Sequence, residues 1–127
     1  MLGEGMLFAT VAVRDLAVGK QFYGETLGLS QVSEDPGGVT YTSVGGGKLY
    51  MYMSGTAGTG QATCVYWAVD DAKAAVEELK VKGVTFEHYD MPYGEWQGDL
   101  LVVEGMQAAW FKDPDGNVLG VGNDTKK

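Results

Sequence analysis

A single cysteine, a single histidine and the lack of any long apolar run set the first limits on this chain. Cys64 has no partner for an internal disulfide, and no stretch approaches the roughly 18 apolar residues that a membrane helix needs, which fits a soluble, reducing compartment. The opening residues MLGEGMLFATVAV carry neither a basic stretch nor a small-residue cleavage site, so no secretion signal and no membrane partner are expected; the expected location is cytoplasmic. Positive charge is also scarce. Nine basic residues against seventeen acidic ones give a net charge of −8, which repels a phosphate backbone and forgoes counterion release, so nucleic acid is not an expected partner. With 45% hydrophobic and 20% charged residues, the 127-residue chain has the profile of one folded globular domain rather than of a disordered one.

What is present is a repeat. The apolar run Met6 to Val13 reads as a strand, Asp15 stands where a helix N-cap belongs, and Leu16, Phe22, Tyr23 and Leu27 share a helical face up to Gly28. Three strand-like runs follow, Leu29 to Ser33, Val39 to Val44 and Lys48 to Met53, punctuated by glycine pairs and triplets. Residues 54–61, SGTAGTGQ, read as a linker. The pattern then restarts with Thr63 to Val69 as a strand, Asp70 and Asp71 as caps, and Ala72, Ala75, Val76 and Leu79 at helical spacing up to Gly83. Residues 84–89 read as a strand, and 106–112 with 117–121 as a hairpin around Asp113-Pro114-Asp115-Gly116. The irregular piece is 90–105, a loop carrying an extra short strand at Leu100 to Val103. VRDL and VDDA stand 56 residues apart and the helix-ending glycines 55, which marks two β-α-β-β-β modules, one at about 6–53 and the other at about 62–122. The expected fold class is α+β.

The order of VAVRDLAVGKQFYGETLGL, then VDD before the second helix, then WFKDPDGN resembles the glyoxalase I, bleomycin-resistance and extradiol-dioxygenase superfamily, the vicinal oxygen chelate proteins. The resemblance implies a single domain in which two modules curl a mixed sheet into a cup, with helices outside and the ligand within. It also implies a homodimer, since relatives complete or border each cup with a partner chain. Metal-binding relatives place His, Glu or Gln on the first and last strands of each module. Here those positions fall on Phe8, Tyr50, Cys64 and Gly120, a set with one plausible donor, so neither a metal nor any other cofactor is expected.

Strand alternation places Thr10, Ala12, Tyr52, Tyr66, Val118 and Trp110 on the same side as that set, while Trp67 and Phe111 face the helices. Trp96, in the irregular loop, either closes over the cup or anchors the loop to the body. His88 is read as solvent-facing, and Cys64 has no neighbour in sequence that would activate it as a nucleophile. The expected ligand-binding set is therefore Phe8, Thr10, Tyr50, Tyr52, Cys64, Tyr66, Trp96, Trp110 and Gly120, with no identified catalytic residue. An aromatic, nearly uncharged lining suits a planar small molecule, a cationic aromatic drug among the candidates, held without metal. The alternative is a lyase, isomerase or dioxygenase-like enzyme of the same superfamily with a non-standard site.

Overall fold

A computed structural model of the chain describes residues 1–123. Strand β1 (Ala9–Val13) leads through Asp15 into helix α1 (Leu16–Lys20), and the Asp15 carboxylate accepts from the backbone N–H groups of Ala17 (2.8 Å) and Val18 (3.4 Å). That contact satisfies two of the donors that a helix start leaves open. The helix then widens into a π-helical stretch, Gln21–Thr26, closed by Leu27 N–H donating to Phe22 O, and Gly28 ends it at φ +76°. Strands β2 (Ser30–Asp35), β3 (Gly38–Thr42) and β4 (Lys48–Met53) complete a four-stranded sheet in the order β1-β4-β3-β2, with β1 parallel to β4 and the other pairs antiparallel.

The second half repeats this topology. Strand β5 (Thr63–Val69) passes through the Asp71 cap into helix α2 (Ala72–Val81), which Gly83 ends at φ +93°. There follow β6 (Phe86–Glu87), β7 (Glu95–Gln97), β8 (Leu100–Val103), β9 (Met106–Lys112) and β10 (Val118–Asn123), in a sheet ordered β5-β10-β9-β8-β7. Here too the first strand runs parallel to the last.

The strand expected over 84–89 is reduced to Phe86–Glu87. Strand β9 has one edge left after pairing with β10, and β8 takes its first half (Leu101 opposite Ala108) while β6 takes its second (Phe86 opposite Phe111). The second strand of the repeat is thus β8, supported by a hairpin with β7 that the sequence pattern did not reveal. Phe8 lies just before β1 and is 45% exposed, so it is no strand residue.

Alternation sorts the residues as expected on the helix side. Val11, Val13, Val39, Tyr41, Leu49 and Met51 of the first sheet share one core with Ala109, Phe111, Leu119 and Val121 of the second, and Phe22 of the π-helical stretch meets Phe111 at 6.5 Å. Trp67 stacks near Phe111 on this side.

The two halves are tied at Asp113. Its buried carboxylate accepts from the Tyr23 hydroxyl (2.7 Å), from the backbone N–H groups of Asp115 and Asn117 (2.9 Å each) and from the Asn117 side chain (2.8 Å). Asn117 also donates to Ala12 O at the end of β1, and Arg14 donates to the carbonyls of Gly55 and Ala57. The 54–61 segment is therefore fastened down, with Ala57 buried and Gly58 N–H donating to Asn117 Oδ1.

Burial, and then the adjacent Asp113 carboxylate, push the Tyr23 phenol far above its ordinary value of 10. Above about pH 10 the unfolded chain releases this proton while the folded chain keeps it, so stability falls by about 1.4 kcal/mol per pH unit on account of this group. Tyr23→Phe is expected to flatten that decline in denaturant titrations between about pH 9 and about pH 11; identical slopes in the two proteins would contradict the assignment.

Candidate functional site

On the faces opposite the core, the expected binding residues gather in two groups. On the first sheet Thr10 and Ala12 of β1 neighbour Tyr50 and Tyr52 of β4, and the two phenol rings stack at 6.1 Å between centroids, 6° apart in plane. The Tyr50 hydroxyl donates to Asp35 at 3.0 Å, and Asp35 Oδ1 also accepts from Gly37 N–H (2.8 Å) and Gly38 N–H (3.0 Å). Gly38 is required by this arrangement, because a Cβ there would run into the Met51 carbonyl and the Tyr50 ring. No local pattern marks Asp35, because its role depends on the β2–β3 turn bringing it back over β4.

On the second sheet the strand β10 supplies a floor of glycine. A Cβ on Gly120 would stand 3.1 Å from the Tyr66 ring and 3.3 Å from the Trp110 indole, and one on Gly122 would overlap the Tyr66 hydroxyl. Tyr66 and Trp110 therefore lie down across β10, where larger side chains would lift them. Trp110 meets Trp96 edge to face at 6.2 Å and Tyr89 at 6.2 Å. Tyr66 is 47% exposed, so this aromatic surface is open to solution.

Trp96 is held from behind. The His88 imidazole lies on the indole with centroids 4.4 Å apart and planes 9° apart, and its Nε2 is 2.9 Å from Asp99 Oδ1. Asp99 in turn pairs with Lys80 of α2. The hydrogen bonds from Lys80, then from His88, hold the Asp99 carboxyl below its ordinary value. His88 is exposed, as expected, and is in addition a stacking partner of Trp96. The sequence alone does not signal this contact, since His88 just after β6, Trp96 of β7, Asp99 of the β7–β8 turn and Lys80 of α2 come from four separate segments. Tyr89, beside Trp110, has its hydroxyl buried without a hydrogen-bond partner among the described residues, and burial followed by the Glu87 charge raises its phenol.

Two expected members stand apart. Phe8 precedes the strand, as noted. Cys64 is displaced because the β5–β10 register slips there: Thr63 faces Val118 and Val65 faces Leu119, leaving Cys64 as the extra residue of a bulge. Partial desolvation of this exposed residue, then the Asp113 carboxylate, raise its thiol above the ordinary value, the opposite of what an activated nucleophile requires. Val118, expected on the open face, is buried.

The four positions at which metal-binding relatives carry ligands do not fit a divalent ion. Phe8 and Gly120 have no donor, the Tyr50 hydroxyl is committed to Asp35, and Cys64 is off the ladder with a raised thiol. Among the described residues no three His, Cys, Asp or Glu side chains converge as a metal group would require. No helix among the described residues is long and apolar enough to cross a membrane.

Comparison with known proteins agrees with this architecture. Among curated proteins none is similar to the chain at a significant level. Solved structures are. A member of the glyoxalase/bleomycin resistance protein/dioxygenase superfamily from Sphaerobacter thermophilus is 25% identical with a TM-score of 0.71, over 98% of this chain and 100% of that one. An antibiotic-binding protein from Streptomyces sp. CB03234 is 23% identical with a TM-score of 0.68, over 96% and 98%, and a lactoylglutathione lyase from Agrobacterium tumefaciens is 18% identical with a TM-score of 0.69, over 94% and 93%. The sequence profile of one family matches residues 5–121, nearly the whole length. The chain belongs to the Glyoxalase/Bleomycin resistance protein/Dioxygenase superfamily.

Proposed function

We propose that this protein is a metal-independent small-molecule-binding protein, a cytoplasmic homodimer that takes a planar aromatic ligand, cationic by preference. The observation that carries this reading is the open surface of Tyr66 and Trp110 laid over Gly120 and Gly122 and flanked by Trp96. Ring faces of this kind attract flat apolar groups by stacking and cations by their quadrupole, each contact contributing on the order of 0.5 to 2 kcal/mol. The net charge of −8 raises the local concentration of cations around it. On the other sheet the Tyr50–Tyr52 stack beside the Asp35 carboxylate offers the same combination. The Streptomyces antibiotic-binding protein, similar in fold, is a relative in keeping with this role.

Two or three stacked rings support roughly micromolar affinity once translational and ordering costs are subtracted. Titration with cationic and neutral aromatics of matched size, followed by tryptophan emission, is expected to show binding that weakens about tenfold in Tyr66→Ala and in Trp96→Ala and is unchanged by a chelator. Full binding in both variants removes this reading. The second reading, a lyase or isomerase, draws on the His88–Asp99 pair, the titratable pair adjoining the aromatic surface. Turnover of a 2-oxoaldehyde–thiol adduct that is lost in His88→Gln would establish it instead.

A further inference from the structure

A second role lies at the rear of Trp96, where His88 stacks. One indole face is covered by the His88 ring at 4.4 Å and nearly parallel, so a ligand stacking on Trp96 has the other face. We propose that His88 makes the site's acceptance of cations depend on pH: when protonated, it places a positive charge on the covered face of Trp96 and so discriminates against a cationic ligand on the opposite one. The proposal rests on the aromatic-site reading above and names the residue that tunes it.

Histidine is the side chain whose charge changes between about pH 5 and 8. His88 is the only histidine in the chain, so a histidine titration seen in solution belongs to it. Its surroundings favour a defined effect. Asp99, from the turn between β7 and β8, faces its Nε2, and Lys80 of α2 reaches the other oxygen of that carboxylate. Along its own segment stand Glu87, Tyr89 and Asp90, and Glu87 lies 3.9 Å from Lys112 of β9. The hydrogen bond to Asp99 and the stack on Trp96 fix the ring, so the proton arrives at one place relative to the indole. An indole has a negative face on each side; a cation on one face draws that electron density away from the other, and the two like charges then repel through the thickness of one ring. At a separation of about 8 Å in a partly solvated setting this amounts to about a three-fold loss of affinity for a singly charged ligand and none for a neutral one.

Two measurements on the intact protein decide the matter. The first uses no ligand: tryptophan emission is followed from about pH 8 to about pH 5 in wild type, His88→Gln and Trp96→Phe. Because a protonated imidazole in contact with indole quenches it, wild-type emission is expected to fall with a single histidine transition that both variants lack. The same transition in His88→Gln, or none in wild type, overturns the proposal. The second compares phenyltrimethylammonium with tert-butylbenzene, matched in shape, differing in charge and free of titratable groups. The cation is expected to bind about three-fold more weakly at the acid end, the hydrocarbon equally at both, and His88→Gln to abolish the difference. Equal pH dependence of the two compounds overturns the charge mechanism. If emission titrates as described and neither compound binds, the binding-site reading has failed and the selectivity claim with it, while the contact stands. If both bind without any emission transition, the site stands and the proposal falls.

Discussion

Alanine in place of Gly58 is expected to cost about 3 to 5 kcal/mol of folding stability and to lower the melting temperature by about 10 to 20 °C. Gly58 adopts φ +74°, where any residue with a Cβ pays about 1 kcal/mol, and that Cβ would overlap the backbone carbonyl of Asp115. A flexible side chain could move aside. The Asp115 carbonyl cannot, because its turn is fixed by the Asp113 carboxylate on one side and by Arg14 N–H on the other. Gly60 is the internal control: nothing lies within 4 Å of its Cβ position, so Gly60→Ala is expected to stay within about 0.5 kcal/mol of wild type. Thermal unfolding of the two variants side by side checks the claim, and equal melting temperatures would refute it.

Asp113→Ala is expected to be comparably severe, about 3 to 4 kcal/mol, by a different route. The substitution leaves the Tyr23 hydroxyl buried without its acceptor and frees the Asp115 and Asn117 amides that the carboxylate had organised. The penalty comes from desolvated donors left unpaired rather than from lost volume. In Tyr23→Phe,Asp113→Ala one of those stranded donors is absent, so the double variant is expected to recover about 1 kcal/mol relative to Asp113→Ala. A double variant less stable than Asp113→Ala would show that the hydroxyl is satisfied in some other way.

Both sites lie in stretches that sequence reasoning treats as bland, DPDG as a turn and 54–61 as a linker. The turn is where it was expected; that it clasps β1, the π-helical stretch and the linker is a property of three distant segments meeting. The contrast runs through the whole molecule. Lys48–Met53, Thr63–Val69 and Met106–Lys112 begin and end as their apolar patterning indicates, and Asp15 and Asp71 cap the helices, because patterning and capping are local. Strand β6 is shortened by competition for an edge of β9, and Cys64 is thrown out of register by a bulge, neither of which any local pattern encodes. At the site, Tyr50 with Tyr52 and Tyr66 with Trp110 follow from strand alternation alone. His88, Asp99 and Asp35 do not, since each acquires its role from a partner on another segment.

The clasp at Asp113 also dictates when this protein can become itself during synthesis. Its bonds join residues 90, 101 and 105 positions apart, from Tyr23, Arg14 and Ala12 to the β9–β10 turn. A ribosome delivering residues in order completes the first four strands and their helix long before that turn emerges. Until then the far end of β1 and the Tyr23 hydroxyl wait without the groups that satisfy them, and Phe22 waits without Phe111. Contacts so distant in sequence are paid for in loop entropy before they return anything, which slows folding. The nascent first half is therefore an interval of vulnerability, and a chain truncated before Asp113 is expected to be captured by chaperones or degraded rather than to persist as an independent half.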